Sequence, residues 1–353
     1  MNQDIRNNIN ELGNLLNELK ISKFLLVCDS SFEYLKIVDY VKTFSDRYVL
    51  FNQFTSNPNE DDAIKGVNLF NSNKFDAIVA IGGGSTIDVA KYIKLHSEKH
   101  PHLIVVPTTA GTGSESTKHI VVYKNGVKQS IANDFVIPNY VILDAQILET
   151  LPPYQKYCTV MDALFQGIES YWSINATPQS RVLASNAIKL ITNNINDYLT
   201  KGIDRRFEVD CNVMVGANLA GQAINITSTT AGHAMSYKLS SMMNIPHGHA
   251  VALCMFAIWD FCIPYVEKHH LFDVKKTMLE IASICGYKNL IDFRNYLHSI
   301  IFTYAELRTL KSENIEEDIK ILVDNVKPER LKNNPIQFTK DELREIYYKI
   351  LRS

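Results

Sequence analysis

The hydrophobic pattern of this chain changes abruptly at "LPP", residues 151–153. Before it, short apolar runs rich in Val, Ile and Leu alternate with segments of helical periodicity. The runs that we predict to be strands are 23–29, 48–54, 75–83, 102–108 and 139–144. Apolar strands separated by crossover helices, such as 31–44 and 60–73, predict a parallel, doubly wound sheet. An Asn-Gly turn within 118–133 predicts an inserted β-hairpin.

After "LPP" almost every segment has the period of a helix. The predicted helices are 154–173, 178–199, 206–227, 231–243, 248–262, 271–285, 288–301, 313–326 and 340–351. We therefore predict an α/β domain of residues 1–153 and an all-helical domain of residues 154–353.

Two glycine-containing loops follow predicted strands of the first domain. In "GGGSTIDVAK" (82–91), three glycines precede a helix, so a bound phosphate could approach the free N–H groups of its first turn. In "PTTAGTGSE" (107–115), hydroxyl and backbone donors follow the neighbouring strand. Together the loops predict a dinucleotide site. Taken alone, the first loop could instead be a tight turn that packs helix against sheet.

Asp29 ends the first predicted strand. An acid at this place can accept hydrogen bonds from the adenosine ribose and repel a 2′-phosphate, which favours NAD(H) over NADP(H). It could equally be the N-cap of the segment that starts at Ser31.

The helical half carries residues typical of metal ligands. Asp162, Gln166 and Glu169 share one face of a predicted helix, and His233 and His247 belong to two later helices. An acid and two imidazoles that converge where the domains meet would suit a divalent transition metal with an open coordination position. The alternative is a set of unrelated buried polar residues.

These motifs, in this order, resemble the iron-containing (group III) alcohol dehydrogenase family over roughly residues 20–350. The resemblance implies a fold similar to dehydroquinate synthase and an NAD(P)-dependent alcohol dehydrogenase or aldehyde reductase activity. It also implies a divalent metal, most often Fe(II) and sometimes Zn, on Asp162, His233 and His247. The residues that it implies for the nucleotide are Gly82, Gly83, Gly84, Ser85, Asp88, Lys91, Thr108 and Thr109.

Two positions depart from the family pattern. Gln166 stands where relatives have a histidine four residues after the liganding aspartate, so it is the candidate for a fourth metal ligand. Tyr237 stands where many relatives have a histidine four residues after the first liganding histidine. Tyr237 or His249 is therefore the candidate for proton transfer.

The residues of these motifs are most similar to those of the branch of the family that reduces phosphonoacetaldehyde to 2-hydroxyethylphosphonate. We expect hydride transfer from the nicotinamide to a small aldehyde whose carbonyl is polarised by the metal. The cations nearest the motifs along the chain, as candidates for a phosphonate, are Lys118, Lys128, Arg181 and Lys238. The alternatives are a dehydroquinate synthase-like cyclase and a non-catalytic NAD- or metal-binding sensor.

The composition of the chain limits the classes of partner that it could bind. A net charge of −2 over 353 residues gives no basic surface for nucleic acid. The first twenty residues lack the apolar core of a secretory signal, and we expect Asp260 and Pro264 to break the longest apolar run before it could span a bilayer. The six cysteines form no C-x-x-C pair and indicate reduced thiols. We expect a cytoplasmic protein with a small aldehyde or alcohol as partner, no nucleic acid and no membrane; a homo-oligomer stays open.

Overall fold

A computed structural model describes residues 3–200, 206–304, 310 and 312–352. The chain forms two compact units: Met1–Leu151 with Phe207–Asn218, and Pro152–Arg206 with Leu219–Ser353. The predicted domains of residues 1–153 and 154–353 differ from this division at Phe207–Asn218. Within the first unit, the buried Asn218 side chain donates hydrogen bonds to Glu115 Oε1 (3.2 Å) and Ser116 Oγ (2.7 Å), contacts that sequence periodicity could not reveal.

The first unit is built on a parallel sheet of six strands, which lie side by side in the order Asp4–Arg6, Tyr140–Ile142, His102–Pro107, Ala77–Gly82, Phe24–Cys28 and Tyr48–Phe51. The strands of this unit are β1 (Asp4–Arg6), β2 (Phe24–Cys28), β3 (Tyr48–Phe51), β4 (Ala77–Gly82), β5 (His102–Pro107), β6 (His119–Lys124), β7 (Val127–Ala132) and β8 (Tyr140–Ile142). The antiparallel pair β6–β7 forms the predicted hairpin, with Asn125 and Gly126 both at positive φ. Strand β1 was not predicted, because its three residues lie in a polar stretch.

Both faces of the sheet are buried. Along β2, Phe24 and Leu26 pack into one apolar cluster, while Leu25 and Val27 pack into the other. The helices of this unit are α1 (Glu11–Glu18), α2 (Val38–Lys42), α3 (Glu60–Asn71) and α4 (Gly84–His96). Helix α1 contributes to the first cluster and α3 and α4 to the second, which confirms the doubly wound arrangement. The predicted helix 31–44 is interrupted, because Leu35 adopts an extended conformation after a 3₁₀ turn.

The described residues of the second unit form helices connected by loops, as predicted. Counted along the chain, the later helices are α5 (Pro153–Trp172), α6 (Pro178–Leu199), α7 (Arg206–Thr227), α8 (Ala231–Met243), α9 (His247–Lys268), α10 (Phe272–Ile284), α11 (Leu290–Tyr304), α12 (Ile315–Asp324), α13 (Pro328–Leu331) and α14 (Lys340–Arg352). Helix α7 supplies residues to both units.

The expected break in the longest apolar run is wrong. Helix α9 continues through Pro264 to Lys268. Proline removes one helical hydrogen bond at a cost of about 3 kcal/mol, and the burial of most of this apolar helix offsets that cost. Among the described residues, α9 alone has the length and apolar composition that could cross a membrane, and most of it is buried inside the protein, as in core helices.

Candidate metal centre and nucleotide-binding loops

Helix α5 supplies the acidic side of the candidate metal centre. Asp162, Gln166 and Glu169 lie on one face, and all three side chains are buried. Burial without compensation would be costly for two carboxylates. Each therefore has partners from another helix, and Gln166 also hydrogen-bonds the Asp162 carboxyl group.

His233, in the first turn of α8, is held at both ring nitrogens. Its Nδ1 donates to Glu169 Oε2, and its Nε2 lies 3.1 Å from Asp162 Oδ1. The other Glu169 oxygen, Oε1, accepts hydrogen bonds from the Thr230 backbone N–H (3.0 Å) and hydroxyl (2.7 Å) at the start of α8. Glu169 thus fixes the helix start and the imidazole orientation together, and directs Nε2 towards Asp162.

His247 is the first residue of α9. Its Nε2 is 4.0 Å from Asp162 Oδ1, and its ring centroid is 5.4 Å from that of His233. The Ser236 hydroxyl is 3.5 Å from its other nitrogen, Nδ1. Unlike His233, the His247 side chain is 37% exposed, so this edge of the cluster is accessible.

The donor atoms of Asp162, His233 and His247 lie within 4.8 Å of one another. One carboxylate oxygen and two imidazole nitrogens suit a divalent transition metal, and three protein ligands leave a coordination position for another molecule. The residues present therefore fit the metal that the sequence suggested.

The ionisation of the cluster reflects its carboxylates. Burial opposes charge on His233, but Glu169 and Asp162 outweigh it and raise the His233 pKa to about 9. Burial likewise opposes charge on Asp162, yet the hydrogen bond from His233 and the nearby imidazoles hold the pKa of Asp162 below its usual value. A metal that enters this site would replace a proton on His233.

The two candidates for proton transfer have different surroundings. The Tyr237 ring stacks on His247, with centroids 5.4 Å apart and ring planes 6° apart. His249 is buried, with Nδ1 2.8 Å from Tyr154 Oη and Nε2 without a partner among the described residues. Burial lowers the pKa of His249 to about 4, so its ring is neutral. The structure therefore brings Tyr237, rather than His249, into stacking contact with a candidate ligand.

In the first unit, Gly82 ends β4 and the first turn of α4 follows Gly83. A Cβ on Gly84 would lie 2.8 Å from the Thr112 hydroxyl, whereas a Cβ on Gly83 would meet nothing closer than 3.6 Å. Gly84 is thus required by the packing of the protein itself. Gly83 is not, and no side chain caps α4, which leaves its first turn suited to an anion.

The second loop lies beside the first. The Thr108 backbone N–H donates to the Gly82 carbonyl (3.1 Å), and Thr109 is the nearest neighbour of the space beside Gly83. The Ser85 hydroxyl, in the same turn of α4, donates to the Ser56 carbonyl. The predicted loops are therefore adjacent within this unit.

Asp29 is the N-cap of a 3₁₀ turn, where it accepts from the Ser31 N–H at 2.8 Å. Its other oxygen accepts from the hydroxyl of Thr86 in α4, at 3.1 Å. The capping alternative is thus observed, while its contact with a ribose stays a prediction.

Asp88 and Lys91 are buried in α4, and their polar atoms have partners inside the unit. Asp88 accepts from the Ser114 hydroxyl (2.6 Å) and the Val121 N–H (3.0 Å), and Lys91 donates to Ser114 (3.1 Å) and Thr117 (3.2 Å). These bonds fasten the second loop to α4. Burial raises the Asp88 pKa and lowers the Lys91 pKa to about 8. Direct contact of either residue with a nucleotide stays a prediction.

Some residues around the metal cluster could not be identified from sequence patterns. Glu169 was placed on the correct face without a role, although its spacing from Asp162 was the available signal. Tyr154 and Arg330 gave no signal, because each is far along the chain from its partner. Arg330 Nη1 donates to Tyr237 Oη at 3.2 Å.

Two family profiles match the chain. Iron-containing alcohol dehydrogenase matches residues 5–145, and the C-terminal part of the Fe-containing alcohol dehydrogenase family matches residues 156–351. The chain is 31% identical over 300 residues to a 4-hydroxybutyrate dehydrogenase of Clostridium kluyveri, covering 78% of this chain and 79% of that protein. It is 29% identical to an NADPH-dependent butanol dehydrogenase of Clostridium saccharobutylicum, covering 88% and 86%.

A solved structure has the same fold. Sulfoacetaldehyde reductase of Bifidobacterium kashiwanohense, in complex with NAD+, aligns with a TM-score of 0.84 over 99% of this chain and 97% of that one, at 24% identity. The profile matches and the relatives together show that the chain belongs to the iron-containing alcohol dehydrogenase family, oxidoreductases that bind a metal and NAD.

Proposed function

We propose that this protein reduces a small aldehyde to its alcohol with NADH, at a divalent metal held by Asp162, His233 and His247. The observation that carries the proposal is the approach of their three donor atoms to within 4.8 Å of one another. When bound, the metal supplies a Lewis acid for a carbonyl oxygen. Fe(II) is the proposed metal and Zn the alternative; Gln166 is the proposed fourth ligand.

The residues around the metal cluster have three further proposed roles: orientation of a ligand, supply of negative charge and donation of a proton. Glu169 holds His233 in the orientation that presents Nε2, and Asp162 supplies the negative charge. The pKa of Tyr237 is raised by burial, despite the opposing charge of Arg330. Its phenol therefore keeps a proton at neutral pH and can donate it to the alkoxide oxygen of the product. His249 is the alternative donor.

In the first unit, the turn at Gly82, Gly83, Gly84 and Ser85 is proposed to bind the pyrophosphate. Thr108 and Thr109 would contact the nicotinamide side of the dinucleotide. Asp29 favours NAD(H), because a 2′-phosphate beside its carboxylate would be repelled.

Phosphonoacetaldehyde, reduced to 2-hydroxyethylphosphonate, is the proposed substrate. The similarity of the motif residues to the phosphonoacetaldehyde-reducing branch of the family supports this choice. The name of the 4-hydroxybutyrate dehydrogenase relative points in the same direction, because 4-hydroxybutyrate is a short alcohol with an acidic group. A cytoplasmic location is part of the same proposal.

The test is purification under anaerobic conditions, loading with Fe(II), and assay of NADH oxidation with phosphonoacetaldehyde. Replacement of His247 by alanine should abolish both metal retention and turnover, because it removes one of the metal's ligands. His269→Ala, at an exposed histidine beyond the end of α9, is the matched control and should keep both. Full activity of metal-free His247→Ala would contradict the proposal, as would NADH left untouched by the loaded wild type.

A further inference from the structure

An arginine lies one aromatic ring away from the metal cluster. The guanidinium of Arg330, in the short helix α13, is 5.0 Å from the Tyr237 ring centroid, and its Nη1 donates to Tyr237 Oη. Tyr237 in turn stacks on His247. Two contacts with the same tyrosine therefore hold a fixed positive charge one aromatic ring away from a candidate metal ligand.

Arg330 also differs in its charge partners from two arginines of this unit, Arg181 and Arg294. Arg181 pairs with Glu280 (3.6 Å), and Arg294 pairs with Asp260 (3.0 Å). Within the described part of the chain, no carboxylate forms an ion pair with Arg330. A guanidinium has five N–H donors, and the hydrogen bond to Tyr237 uses one of them.

A cation in the neighbourhood of a metal dication is electrostatically unfavourable unless an anion compensates their repulsion. The acids of the metal cluster do not pair with Arg330, because Asp162 and Glu169 are hydrogen-bonded to His233. The place is thus suited to a negatively charged group that arrives with the substrate.

We propose that Arg330 is a specificity-determining residue that binds the oxyanion of an acidic aldehyde, a phosphonate or a carboxylate. The fork of a guanidinium matches such groups with two parallel hydrogen bonds. The inference rests on the proposed aldehyde reduction and deepens it, because it names the end of the substrate that faces away from the reacting carbonyl.

Three of the four cations suggested by the sequence are less suited to this role. Arg181 is engaged by Glu280 and lies over the Tyr171 ring. Lys118 is 3.5 Å from Asp134 in the first unit. Lys238 follows Tyr237 directly in α8, and adjacent residues of a helix do not share a face.

The experiment measures equilibrium binding of 2-hydroxyethylphosphonate to the metal-loaded enzyme saturated with NADH, a combination in which no hydride transfer can occur. Arg330→Gln should weaken binding roughly 10- to 100-fold, as expected for a lost charge-assisted hydrogen bond. The affinity of Arg330→Lys should lie between those of the wild type and Arg330→Gln, because lysine keeps the positive charge but cannot form two parallel hydrogen bonds. Arg181→Gln is the matched control and should bind like the wild type.

Parallel binding titrations with 4-hydroxybutyrate show whether Arg330 prefers a carboxylate or a phosphonate. The ligand whose affinity falls more in Arg330→Gln carries the preferred acidic group. In the kinetic arm, Arg330→Gln should raise the KM for phosphonoacetaldehyde by a larger factor than the KM for propionaldehyde, which has no acidic group. An unchanged circular dichroism spectrum shows that the variant folds. Unchanged affinity of Arg330→Gln for both acids would overturn the inference, as would failure of the wild type to bind either. If no aldehyde is reduced, the proposed function fails, and the binding result still decides the role of Arg330.

Discussion

At the scale of single residues, the orientation of His233 depends on one acid. Glu169 accepts from the imidazole Nδ1 through one oxygen, and from Thr230 through the other. Partners behind a metal-ligating histidine tune its basicity and its direction. Glu169 is therefore a positioning residue.

We predict that Glu169→Gln lowers metal affinity by roughly 10- to 100-fold, because the amide keeps the shape and removes the charge. Competition with a chelator, followed by measurement of bound metal, checks the prediction. Glu280→Gln, which changes a partly exposed glutamate of α10, serves as control. Equal metal affinities of Glu169→Gln and wild type would show that the carboxylate acts only on the fold.

At the scale of elements, the contact between α5 and α9 positions His247. A Cβ on Gly248 would lie 1.8 Å from the Cys158 carbonyl oxygen of α5. Neither atom belongs to a flexible side chain, so α9 can approach α5 this closely only with glycine at this position.

Gly248→Ala should therefore displace the start of α9 and the ligand next to it. We expect a loss of about 1–3 kcal/mol in the free energy of unfolding, as for other overpacked sites, together with weaker metal retention. Chemical denaturation and metal analysis measure the two effects. Gly83→Ala is the steric control, because its Cβ would meet only ordinary contacts; a stable, metal-replete Gly248→Ala would contradict the expected strain.

Sequence patterns predicted the long elements well, because each buries an apolar face of regular period. Strand β1 was missed because "DIR" has no such face, and α9 was predicted too short because its packing outweighs Pro264. For the candidate metal cluster, Asp162, His233 and His247 were found from residue type and spacing. Arg330 was not, because only the folded chain brings it to Tyr237.

At the scale of the whole molecule, the candidate metal residues and the glycine loops belong to different compact units. Each ligand should therefore stabilise the protein through its own residues. A ligand at 100 times its dissociation constant adds about 2.7 kcal/mol to the stability of the state that binds it.

We predict opposite responses in two variants. NADH should raise the midpoint of thermal unfolding of the wild type and of His247→Ala. The increase should be smaller in Gly83→Ala, because a Cβ at this position enters the space proposed for the phosphates. Added Fe(II) should raise the midpoint of wild type and Gly83→Ala but not of His247→Ala. Thermal scans under anaerobic conditions measure these shifts. Loss of the NADH response in His247→Ala would show that the two sites are not independent.

The division of α7 between the units affects how this protein can be recombined with its relatives. The first unit takes in Phe207–Asn218 as well as the chain up to Leu151. A chimera joined at Leu151 would leave Asn218 from one parent to bond Glu115 and Ser116 from the other. Exchange of nucleotide preference by grafting therefore requires three crossovers, after Leu151, before Phe207 and after Asn218, so that this piece of α7 is transplanted together with the sheet.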